Sequence, residues 1–226
     1  MTDVLADLAP PPHAAGVFGD ALPVLARYAE LLAGAGVERG LIGPREAPRL
    51  WERHLLNCAG LSELLEPGTV VADVGSGAGL PGVVLAAMRP DVTVVLVEPL
   101  LRRATFLSEV VAELGLRGAL VRRARAEELR GDLLVDAVVA RAVAPLDRLA
   151  GWALPLLRPG GRLLALKGER ADSELASSGA ALRAAGAASS SVVVVGSEQA
   201  QTLGRVVVVV RDASPLPGAK KKKARR

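Results

Sequence analysis

The sequence predicts an α/β fold, with a mostly parallel seven-stranded sheet whose last strand is antiparallel, plus N-terminal helices. Three observations predict it. From Val70 onward, short apolar runs alternate with stretches of helical period, the pattern of strand–helix units. Those runs are apolar at consecutive positions, as in strands covered on both faces. The final two Val runs, at 192–195 and 206–210, have only ten residues between them and no helical pattern there, which favours an antiparallel pair.

Each element follows in chain order. Residues 1–18 hold Pro10, Pro11 and Pro12 and little periodic pattern; they are expected to form a flexible leader. Leu22, Leu25, Tyr28, Ala29 and Leu32 recur at helical spacing over 21–34. A second helix is expected over 48–65, with Leu50, Trp51, His54, Leu55, Cys58 and Leu61 on one side. Segment 19–66 is therefore expected to be helical and to pack on the core domain, which spans 67–212. Pro67-Gly68 marks the turn into it. Strands are expected at 70–74, 92–97, 119–121, 134–140, 162–166, 192–195 and 206–210. Helices fill the stretches ending at Met88, then 100–114, 147–157 and 173–185. The Ala/Ser-rich stretch 176–191 reads as mild compositional bias.

Composition narrows the function class. The chain has 226 residues, 50% hydrophobic and 23% charged, a globular and not a disordered balance. Aromatics amount to 2%, so the core must come from Leu, Val and Ala. No unbroken apolar stretch reaches membrane-spanning length, and the start lacks a secretory pattern, so a cytoplasmic protein is expected. One cysteine, Cys58, excludes an intramolecular disulfide, and with two histidines it argues against a Cys/His metal site. The net charge is +4, yet Lys220 to Arg226 carry six positive charges, which leaves −2 for the rest. Segment 213–226 is expected to be a disordered basic tail that contacts polyanions. Nothing indicates an obligate interface, so a monomer is expected.

The most informative segment is Val70-Val-Ala-Asp73-Val-Gly75-Ser-Gly77-Ala-Gly79-Leu80-Pro81-Gly82. A buried strand runs into a glycine turn that opens a helix, where backbone can approach a ligand and N–H groups are unpaired. Gly77, Gly79 and Gly82 formally fit the dinucleotide pattern G-x-G-x-x-G, which alone is a weak signal. Asp73, just ahead of the first glycine, would face a cation more readily than a pyrophosphate. That form suits S-adenosylmethionine, which carries an ammonium and a sulfonium. Glu98 ends the next strand and can accept both hydroxyls of a ribose, which both cofactors possess.

These residues resemble the RsmG (GidB) family, bacterial methyltransferases that modify N7 of a guanine in 16S rRNA. The resemblance rests on Val71 to Gly82, Val97-Glu98 with Arg102-Arg103 and Phe106-Leu107, Arg125-Ala126-Glu127, Ala140-Arg141-Ala142 and Ala165-Leu166-Lys167-Gly168. Upstream, Trp51 to Cys58 is similar to the family's R-H-I-L-D-S segment, with Asn57 and Cys58 in place of Asp and Ser. The resemblance implies a class I S-adenosylmethionine-dependent methyltransferase fold. It implies a cofactor site of Gly75 and Leu80 in the turn, Ala126 and Glu127 beside the adenine, and Arg141 after the fourth strand. Asp73, Gly77, Gly79 and Glu98 fit the same pocket. Arg141 is also the candidate catalytic residue. His54, Arg125, Lys167 and Arg205 are candidates for the RNA side, and no metal is implied. The expected cofactor is S-adenosyl-L-methionine, with S-adenosyl-L-homocysteine as product, and the expected partner is 16S rRNA or the small ribosomal subunit. Guanine N7 carries a lone pair and no proton, so in-line transfer requires no general base. Two other classes predict different behaviour: a small NAD-dependent oxidoreductase would bind a nicotinamide cofactor, and a non-catalytic RNA-binding protein with this fold would transfer nothing.

Overall fold

The structure is a computed structural model that describes residues 8–198 and 202–214. The strands are β1 (Val70–Val74), β2 (Thr93–Val97), β3 (Ala119–Arg122), β4 (Val135–Arg141), β5 (Leu157–Leu166), β6 (Ala187–Val195) and β7 (Gly204–Arg211). The α-helices are α1 (Ala14–Phe18), α2 (Leu22–Leu31), α3 (Leu56–Ala59), α4 (Gly82–Met88), α5 (Leu101–Glu113), α6 (Leu146–Ala153) and α7 (Ala171–Ala184). One seven-stranded sheet runs in the order β3-β2-β1-β4-β5-β7-β6. β7 is antiparallel to both of its neighbours, and every other pair is parallel.

Consecutive apolar residues in each strand serve two layers, because successive side chains point to opposite faces. Val71, Val94, Leu96, Val139 and Leu164 pack with α4, α5 and the N-terminal helices in one apolar cluster. Ala72, Val95, Val138 and Leu163 pack with α6 and α7 in the other. Leu, Val and Ala supply most of both. The strand order reverses between β1 and β4, where a ligand crevice opens at the carboxyl ends of such strands. Register aligns those ends: Val74 lies opposite Val97, Val97 opposite Arg122, and Arg141 opposite Leu166. Asp73, Glu98, Arg141 and Lys167 thereby share one rim of the sheet.

The chain departs from the sequence expectations in three places. Residues 8–18 are packed rather than free: Leu8 and Phe18 are buried, and Trp51 Nε1 donates to Leu8 O at 2.7 Å. The apolar staple outweighs the prolines. The helical stretch expected over 48–65 is not regular α-helix throughout: it is a 3₁₀ segment (Pro44–Arg49), a π-helical turn (Leu50–Leu55), α3 and a further 3₁₀ segment (Gly60–Leu64). Pro48 lies inside the first of these, and His54 lies in the π turn, a geometry frequent at functional sites. Finally, β6 starts at Ala187, so Ser189–Ser191 pair with Val210–Val208. These serines are exposed on an edge strand, where an apolar pattern is not required. Residues 1–7, and the basic tail from 215 on, lie outside the described residues.

Candidate active site

The glycine turn after β1 is held from below and from the side. Asp73 is 1% exposed, and its Oδ2 accepts the Gly82 N–H at 3.0 Å, tying the end of β1 to the start of α4. Its Oδ1 is buried without a hydrogen-bond partner among the described residues. Burial pushes the Asp73 carboxyl up to about 7, against the Ser76 hydroxyl, the Gly82 N–H and the Arg141 charge, which favour the ionised form. An unmatched buried carboxylate oxygen suits a cationic donor.

Glu98 is also buried. Its Oε2 accepts the Gly77 N–H at 3.0 Å and its Oε1 accepts the Leu100 N–H at 2.9 Å. One carboxylate therefore fixes both the glycine turn and the entry to α5. Each oxygen keeps a further lone pair for a ligand hydroxyl. Arg103 Nη1 stands 3.9 Å from Oε2.

Gly79 is required by close approach. Its φ is +105°, and a Cβ there would stand 2.5 Å from Val83 Cγ2 and 2.7 Å from the Tyr28 hydroxyl. That hydroxyl donates to Ala78 O at 2.7 Å, so α2 props the turn from outside the sheet. Leu80 is buried and its peptide bond to Pro81 is cis.

Two of the cavities around this turn and the end of β4 hold most of the residues expected at the site. The smaller, about 170 Å³, is lined by Gly75, Pro99, Ala126, Glu127, Val143 and Trp152, among others. Its mainly apolar walls suit a flat ring, and Val97, the residue before Glu98, is among them. Arg125 belongs to this cavity, away from the other residues expected on the RNA side. The larger, about 550 Å³, is lined by His54, Asn57, Arg141 and Lys167, among others.

Arg141 ends β4. Its Nη2 lies 3.0 Å from His54 Nδ1, and its Nη1 donates to Arg53 O at 3.3 Å. The following residue, Ala142, has φ +54°, the one non-glycine positive φ among the described residues. Burial, then the Arg141 charge, lowers the His54 pKa, against the nearby Glu46 carboxylate. Lys167 is mostly enclosed; its Nζ donates to Ala144 O at 2.7 Å and pairs with Glu174 Oε1 at 2.8 Å. Glu174 Oε1 also accepts the Leu146 N–H, so Lys167 braces the loop after β4 as well as lining the cavity. The Lys167 N–H donates to Arg205 O at 3.0 Å, but the Arg205 guanidinium pairs with Asp172 at 2.8 Å on the exposed side. Cys58 is buried, which pushes its thiol up to about 11, so it is a packing residue.

The structure thus gathers His54, Arg141 and Lys167 and leaves Arg125 and Arg205 apart from them. Sequence reasoning missed Trp152 and Val143 at the smaller cavity and Glu46 beside His54. A tryptophan in a chain with so few aromatics was the available signal for Trp152. Among the described residues there is no metal-binding cluster and no helix long and apolar enough to cross a membrane.

Comparison with known proteins gives a consistent set. The family model described as GidB, rRNA small subunit methyltransferase G, matches residues 21–203. A "Ribosomal RNA small subunit methyltransferase G" of Streptomyces avermitilis is 57% identical over 217 residues, covering 95% of this chain and 91% of its own. One of the same name from Thermobifida fusca is 66% identical over 159 residues, covering 70% and 67%. Among solved structures, the S-adenosylmethionine-dependent methyltransferase SibL aligns with a TM-score of 0.60 at 19% identity, covering 92% of this chain and 74% of that one. A SAM-dependent O-methyltransferase from Thermotoga maritima aligns at 0.53 and 15%, covering 70% and 66%. These two likenesses show a shared class I methyltransferase fold.

Proposed function

The chain belongs to the rRNA small subunit methyltransferase G (GidB) family, and from that premise we propose that it methylates N7 of one guanine in 16S rRNA. The methyl donor is S-adenosyl-L-methionine. The observation that carries this reading is the meeting of two unlike half-sites across the end of β4. On one side, two buried carboxylates, Asp73 and Glu98, stand at the glycine turn. On the other, Arg53, Arg141 and Lys167 outnumber Glu52 around a cavity fit for an anionic partner.

The residues present fit the donor. Asp73 keeps an unmatched oxygen for an ammonium, Glu98 keeps lone pairs for ribose hydroxyls, and the cavity beside Ala126 and Trp152 suits an adenine. When bound, S-adenosylmethionine supplies a methyl group activated by a sulfonium sulfur.

The remaining work is positioning. Guanine N7 has an in-plane lone pair and no proton to lose, so no side chain must act as a base. Arg141, held at the end of β4, offers guanidinium N–H groups in a plane that suits guanine O6 or a phosphate. Alignment of this kind supplies on the order of 7–11 kcal/mol. The target base must be extruded or already unpaired. Phe18, Tyr28, Trp51 and Phe106 are buried in the core, and Trp152 lines the smaller cavity. Among the lining residues of the larger cavity there is no Phe, Tyr or Trp to stack on the base.

Mass mapping of 16S rRNA from cells with and without this protein tests the reading. Loss of a single 7-methylguanosine is expected. An unchanged 7-methylguanosine complement contradicts it.

A further inference from the structure

Arg141 is not held by a residue of its own strand. It is held by His54, and His54 in turn by Glu46 of the 3₁₀ segment Pro44–Arg49. Glu46 Oε2 lies 2.8 Å from His54 Nε2, and His54 Nδ1 lies 3.0 Å from Arg141 Nη2. Proton accounting leaves one arrangement. A guanidinium carries donors and no acceptor, so Nδ1 facing Arg141 must present its lone pair. The single imidazole proton then sits on Nε2 and is donated to the carboxylate. A protonated His54 would set N–H against N–H. The charged groups around the ring are Glu46, Arg53 and Arg141. Arg53 Nη1 also reaches Glu46, at 3.1 Å.

We propose that Glu46 is a positioning residue: it anchors the Nε2–H of the tautomer that Arg141 requires, and the ring so held aims the Arg141 guanidinium into the larger cavity. Two Arg141 N–H groups go to His54 and the Arg53 carbonyl. The other three of its five stay available to the partner. The functional half of this inference rests on reading that cavity as the RNA side; the tautomer half does not.

The chain has two histidines, so His13→Gln leaves His54 alone in long-range ¹H–¹⁵N spectra. Near neutral pH, the spectrum is expected to show neutral His54 with Nε2 protonated. In Glu46→Ala, Arg141 still requires the Nδ1 lone pair, so the tautomer should persist while the unanchored ring lets the guanidinium swing, and KM for small-subunit RNA is expected to rise on the order of tenfold. S-adenosylhomocysteine affinity should change little. Glu46→Gln keeps an oxygen for the Nε2–H and should hold KM within about twofold. A wild-type His54 protonated on Nδ1 overturns the inference, with no variant needed. So does an unaltered KM in Glu46→Ala. If the wild-type protein transferred no methyl group to RNA, the proposed function would fail, and the spectra would still decide the tautomer.

Discussion

Glu98 Oε2 accepts the Gly77 N–H at 3.0 Å, so the acid at the end of β2 and the glycine turn after β1 form one unit. The same carboxylate takes the Leu100 N–H. Removing it strands two donors at the sheet rim. Glu98→Ala is expected to cost about 1–3 kcal/mol for each donor left without a partner, read as a lowered Tm. Glu98→Gln keeps one carbonyl oxygen and should cost less stability, yet still weaken S-adenosylhomocysteine binding about tenfold. Calorimetric titration checks this. Equal affinity in Glu98→Gln and wild type would remove the carboxylate from the ligand site.

Asp73 gives the site a pH dependence. It ionises at about 7 in the fold, against 3.8 for an unperturbed carboxyl. Between those values the native state holds a proton that the unfolded chain has lost. The ligand-free protein therefore loses stability as pH rises through this window, on the order of a few kcal/mol. Asp73→Asn should abolish that loss. A bound ammonium favours the carboxylate, so S-adenosylhomocysteine affinity should rise from about pH 6 to about pH 8 with proton release on binding. Titrations in two buffers of different ionisation enthalpy measure that proton. A flat profile contradicts the contact.

Gly79→Ala meets both a left-handed backbone and a filled site, with Val83 and the Tyr28 hydroxyl in the way. Strain and overpacking together should destabilise the fold by about 2–5 kcal/mol. Tyr28→Phe removes only the bond to Ala78 O and should cost about 1 kcal/mol. Thermal unfolding separates the two. A Gly79→Ala protein as stable as wild type would show that the turn tolerates a side chain.

The tail from Lys220 carries six positive charges. Deleting 219–226 should flatten the salt dependence of RNA binding by a slope of up to about 4, at roughly 0.7 per phosphate contact on single strands. Cofactor affinity should not change. An unchanged slope would remove the tail from RNA binding.

Much of this molecule is legible in its sequence, for stated physical reasons. The strands are apolar on both faces, so β1, β2 and β4 announce themselves. The short link before β7 marks its reversed direction. The glycine turn with Asp73 and Glu98 is local, each residue placed by the end of its own strand. What failed was non-local or conformationally subtle. Ser189–Ser191 join β6 through pairing with Val-rich β7, which no local pattern shows. Residues 8–18 are ordered by burial of Leu8 and Phe18 against distant partners. Glu46 meets His54 only because the chain between them turns as 3₁₀ and π helix rather than as the regular helix its period suggests. Trp152 joins the smaller cavity through the packing of α6 on the sheet.

Incubation of the purified protein with methyl-labelled S-adenosylmethionine and small-subunit RNA lacking its modification, followed by nucleoside analysis, tests the central claim most directly. About one label per RNA is expected, recovered as 7-methylguanosine, with most of it lost in Glu98→Gln at limiting donor. Label on a ribose or on another base atom, or no transfer with both ligands bound, would contradict it.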